Sequence, residues 1–186
     1  MKTFKSSLLK TVTRLFSSAT LMTIVLILNS SFAQSQNLTD PEIASVAVTA
    51  NQVDLNASKL AKEKSKNPDV IKFADMMAKD HQSIIDQAVA LVTKLGVTPK
   101  DNEVSKKLNS DAAAIRKMLS AKSGKKFDLA YIDNEVIYHK AVINTVKTVL
   151  IPQSKNEELK DLLQKVLPIL KEHLKHAEMV QKMFNK

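Results

Sequence analysis

A chain of 186 residues with only two glycines, no Cys or Trp and abundant Ala, Lys and Leu suits one helical domain rather than a sheet protein. The missing cysteines exclude disulfides, CxxC chemistry and a lipoprotein anchor. The formal charge of +9 is spread among interleaved Asp and Glu, with few aromatics beside it, which argues against nucleic-acid binding.

In chain order, the first 33 residues read as a signal peptide. Lys2, Lys5, Lys10 and Arg14 precede a short apolar run at 21–28, and Ser31, Phe32 and Ala33 set a cleavage site before Gln34. That run is about 10 residues, against the ~20 needed to span a bilayer, so cleavage is preferred to an anchor. Its four cations leave +5 on the remainder. The expected location is the periplasm or outside the cell. A mildly basic surface there can meet a membrane surface or another envelope protein.

Residues 34–39 read as a linker, polar over 34–38, and 40–186 as the folded domain. Thr39, Asp40, Pro41 and Glu42 form a helix start, with a cap, an early proline and an acid at the positive end. The first helix has a seam of Ile43, Ala47, Ala50, Asp54, Ala57 and Ala61. Asn67 and Pro68 break it. The second helix repeats apolar residues at 70, 74, 77, 84, 88, 91 and 95, with His81 in the same series. A shorter amphipathic helix over 102–121 is long enough to carry the chain back along the molecule. The third long helix, 126–150, has Asp128, Ile132, Glu135, His139, Val142, Val146 and Val149 on its seam. Pro152 to Ser154 are expected to end it. The fourth, 156–184, has Leu159, Leu163, Val166, Leu170, His173, Ala177, Val180 and Phe184, with Pro168 expected to kink it.

Each long helix thus carries polar residues on an apolar seam: Asp54, His81, Glu135 with His139, and His173. Asp54 and His81 are equally far from the break at 67–68, as are His139 and His173 from the turn at 156. In antiparallel hairpins such residues share a level, so all five can meet in one layer. His176, three residues beyond His173, can point to the same side. Three histidines with Asp or Glu suit Zn, Cu, Ni or Fe better than oxygen-seeking Ca or Mg. The alternative is a buried His–carboxylate network that fixes helix register without metal, in a non-catalytic envelope interaction module. Met76, Met77, Met179 and Met183 flank the histidines; thioethers beside imidazole favour copper, but seam methionines ordinarily fill core. Asp80 reads as solvated or as a supporting partner, and Tyr131 and Tyr138 as packing between helices.

LAKEKSKNPDVIKFADMMAKDH, FDLAYIDNEVIYHKAVI and LPILKEHLKHAE together resemble the domain-of-unknown-function family 4142, over residues 40–184. The resemblance implies an exported bacterial protein with a ferritin-like four-helix fold and gives weight to His81, His139 and His173. Di-iron proteins of ferritin-like fold use four carboxylates and two Glu-x-x-His motifs. Glu-x-x-His is absent here, and Glu135 and His139 are four apart. A mononuclear His-rich site is therefore expected, serving metal binding, storage or envelope stress rather than turnover. The expected fold is all-α: two antiparallel hairpins joined by a long crossover containing a short extra helix.

Overall fold

The computed structural model describes residues 37–184, so the expected signal peptide and its cleavage site lie outside the described residues. The described chain is all-helical, without strands. Its helices are α1 (Asp40–Lys64), α2 (Pro68–Lys94), α3 (Glu103–Ser120), α4 (Gly124–Thr145) and α5 (Glu157–Phe184). A π turn at Val146–Leu150 and a last turn at Ile151–Gln153 extend α4. No helix among the described residues is long and apolar enough to cross a membrane.

Local chemistry sets the helix ends. Glu42 accepts hydrogen bonds from the Thr39 amide at 3.0 Å and its hydroxyl at 2.7 Å, closing the first turn of α1. Asn67 caps α2 by accepting from the amides of Asp69 and Val70, with Pro68 in the first turn where its missing N–H costs nothing. Gly96 and Gly124 carry positive φ, at the end of α2 and the start of α4.

The α1–α2 connection is short, so the two helices pack antiparallel. Lys62 reaches Asp75 near the turn, and Asn51 reaches His81 farther from it. α4 and α5 pair in the same sense, with Asp133 bonded to Gln181 and Lys140 to Glu178. The hairpins meet through α2 against α5 and α1 against α4. α3 lies along α1 and runs parallel to it. Asn102 bonds the Glu42 carbonyl at one end, and Lys64 bonds the Ser120 carbonyl at the other. It therefore returns the chain to the far end, as its length suggested.

The connection into α5 is tied to the start of α1. The Asp40 carboxylate accepts from the amides of Lys155 at 2.9 Å and Asn156 at 3.0 Å. The Leu38 amide donates to the Gln153 side chain at 2.7 Å, and Leu38 is buried rather than part of a polar linker. An apolar cluster including Phe73, Met77, Phe127, Tyr131, Ile132 and Ala177 fills the half of the molecule nearer the α1–α2 turn. Burying each large side chain contributes roughly 1.5–3 kcal/mol.

Candidate metal centre

Above that cluster lies a polar layer. Asp54, His81, Glu135, His139 and His173 are all essentially inaccessible to solvent, and all four long helices contribute. Each arrives on the apolar seam that packs its helix, so burial of the neighbours forces these groups inward.

Each imidazole is held at one nitrogen by an oxygen that can only accept. The Asn51 amide nitrogen donates to the Ala47 carbonyl at 2.8 Å, which turns the Asn51 oxygen toward His81 Nδ1 at 2.7 Å. His139 Nδ1 lies 3.0 Å from the Glu135 carbonyl, and His173 Nε2 lies 3.0 Å from the Asp80 carboxylate. Those contacts assign the protons: Nδ1–H on His81 and His139, Nε2–H on His173. The opposite nitrogens, His81 Nε2, His139 Nε2 and His173 Nδ1, are therefore bare lone pairs, buried without a hydrogen-bond partner. Ligand nitrogens of the three lie within 4.8 Å of one another.

Asp54 faces the same space. Its Oδ2 is 3.3 Å from His81 Nε2 and 3.5 Å from His139 Nε2. Asp54, Glu135 and His139 form a second group of possible ligands, which shares His139 with the first. Six of the nine buried polar atoms without partners belong to these five residues, so the deficit is concentrated at one point. Each such atom costs about 1–3 kcal/mol when left unsatisfied.

Burial decides the charge states. It pushes the His81 pKa down to about 4, and lowers those of His139 and His173. All three imidazoles are neutral at neutral pH, as ligands must be. Burial raises Asp54 above the ordinary carboxylate value. Glu135 is raised well above it, first by burial and then by the charge of Asp54 beside it. Burial and the neighbouring Asp54 charge thus both favour the protonated form of Glu135.

These buried histidines and carboxylates can hold a metal ion. His176 falls outside both ligand groups: it is partly buried and its Nδ1 has no partner. Asn51 was not picked out from the sequence, although it lies one turn before Asp54 on the same side of α1. Asp80 takes its supporting role through His173. Tyr138 is buried and donates to the Ala50 carbonyl at 2.8 Å, so its hydroxyl does not reach the layer.

Residues 28–180 match the family model described as domain of unknown function DUF4142. The chain belongs to this family. No curated protein and no solved structure matches it. The DUF4142 match spans every residue of the polar layer, and the family's description assigns no chemistry to it.

Proposed function

We propose that this DUF4142 protein is an exported helical bundle that holds one transition-metal ion in its interior, for binding, storage or envelope stress rather than turnover. His81, His139, His173 and Asp54 are the ligands. Glu135 stands beside Asp54 as a supporting carboxylate. The packing of α1, α2, α4 and α5 supports a ferritin-like four-helix arrangement around the ion.

The convergence of unshared lone pairs carries this reading. Asp54 Oδ2 faces both His81 Nε2 and His139 Nε2, and a proton on it serves only one of them. His173 Nδ1 still has none. A single cation satisfies all four at once. Two edges match a tetrahedral ion: bonds of about 2.0–2.1 Å give ligand–ligand edges of about 3.3–3.4 Å, and Asp54 Oδ2 lies 3.3 Å from His81 Nε2 and 3.5 Å from His139 Nε2. Nitrogen-rich ligation suits Zn or Cu, and admits Ni or Fe, over Ca or Mg. The outer oxygens on each imidazole are the supports that metal-bound histidines ordinarily have.

With four protein ligands the coordination shell is closed, as in structural and storage sites, whereas catalytic sites keep a position open. Two carboxylates are too few for a bridged pair of irons. Cobalt substitution tests the arrangement. Co(II) added to metal-free protein is expected to give the intense visible bands of a tetrahedral ion at one equivalent. Weak octahedral absorption, or none, contradicts it. Export has its own test: expression with the leader in a bacterium is expected to give an envelope protein beginning at Gln34. Retention of residues 1–33 contradicts cleavage.

A further inference from the structure

The methionines among the described residues divide into two kinds. Met77 is fully buried in the apolar cluster, and Met76 and Met118 pack against it. Met179 and Met183 do not fill core: they are 41% and 53% exposed, among only four large hydrophobic residues exposed in the described chain. Both lie on α5 and follow His176 by three and seven residues. At 100° per residue, positions 176, 179 and 183 fall on one face. Successive members of such a set have Cβ atoms about 5–6 Å apart. Two flexible thioethers and an imidazole of that length can close on one ion.

We propose that His176, Met179 and Met183 form a second, surface site for a soft monovalent cation, Cu(I) in the cell and Ag(I) as its stand-in. Thioether sulfur with imidazole selects Cu(I) over harder ions. In a chain without cysteine, methionine is the only sulfur ligand. His176 is the one histidine that the interior layer leaves unused, and its Nδ1 is buried without a partner. Two ammonium groups nearby are engaged, Lys175 with Glu172 at 3.5 Å and Lys140 with Glu178 at 2.9 Å. His176 follows His173 by one helical turn, so the two sites occupy neighbouring turns of α5. The surface site itself does not depend on the interior one being filled.

Ag(I) titration of the whole protein, with the methionine methyl groups labelled for NMR, is the direct test. Saturable shifts are expected at the Met179 and Met183 methyls and the His176 ring, with the Met77 methyl unmoved. The Met179→Leu/Met183→Leu variant, apolar and exposed at both positions, is expected to lose at least tenfold in Ag(I) affinity at this site while keeping interior Co(II) uptake. Shifts confined to His81, His139 and His173, shifts scattered over all methionines, or unchanged affinity in the double variant would overturn the proposal. Failure of Co(II) uptake with the methyl shifts intact would sink the interior reading alone.

Discussion

At the scale of single residues, proton placement is what makes the polar layer a ligand set. His81 and His139 are expected as Nδ1–H tautomers and His173 as Nε2–H in the metal-free protein, a pattern that nitrogen NMR reads directly. A charged imidazole at neutral pH would contradict it, because burial holds His81 near 4. Asn51 is outside the proposed ligand set, yet its side-chain oxygen holds the ring of His81. Asn51→Ala should weaken metal binding about 10–100-fold with the stoichiometry kept at one, as measured by competition with a chelator. Glu135 gives a pH signature. Its folded value is raised well above its ordinary 4.5, so between those values the folded state retains a proton that the unfolded state releases. Stability of the metal-free protein from this group is therefore full below about 4.5 and falls as pH rises toward the folded value. The loss is roughly 1.4 kcal/mol per pH unit across that interval. Glu135→Gln removes that contribution, so its denaturation midpoint at pH 7 relative to pH 5 should drop less than the wild type's.

At the scale of helices, periodicity recovered most of what builds the site, and its failures have local causes. The α5 seam is buried from Leu159 to Val180 as read, with Pro168 inside a continuous helix. An uncomplicated amphipathic helix against one neighbouring hairpin is the case where a 3.6-residue period is informative. α1 is harder. It packs against α2, α3 and α4, so its buried surface extends beyond the seam to Ala44, Ser45, Asn51, Leu55 and Ser58. Asn51 was hidden for that reason: it flanks the seam rather than continuing it, and asparagine is ordinarily a surface residue. After Thr145 the π turn adds one residue to the helical register, with the Ile151 amide bonding the Val146 carbonyl. Leu150 is therefore buried where Val149 was expected, and the helix passes Pro152 to end at Gln153. Nothing in the sequence of Val146, Lys147, Thr148, Val149 and Leu150 marks such a slip. The tautomers were equally illegible, because they depend on contacts between helices distant in sequence. Asp40 joins the start of α1 to the turn before α5 through two backbone amides. Asp40→Ala should cost roughly 1–2 kcal/mol in urea unfolding and leave metal stoichiometry unchanged.

At the scale of the whole molecule, the candidate ligands come from α1, α2, α4 and α5, so a bound ion would cross-link the two hairpins. A ligand that binds only the folded state stabilises by about 4 kcal/mol at a thousand times its dissociation constant. In a domain of this size that raises the melting temperature by about 10 °C. Chelation should reverse the shift and loosen hydrogen exchange first in the pair α2 and α5, which the His173–Asp80 contact joins beside the layer. The most direct measurement is elemental analysis of untagged protein beside its His81→Ala/His139→Ala variant, each reconstituted in turn with Zn, Cu, Ni and Fe. One equivalent of a transition metal in the interior of the wild type, after surface-bound ion is removed by a mild chelator, and none in the variant, is the expected result. No retained metal with any ion would contradict a metal centre and leave the layer as a hydrogen-bonded network.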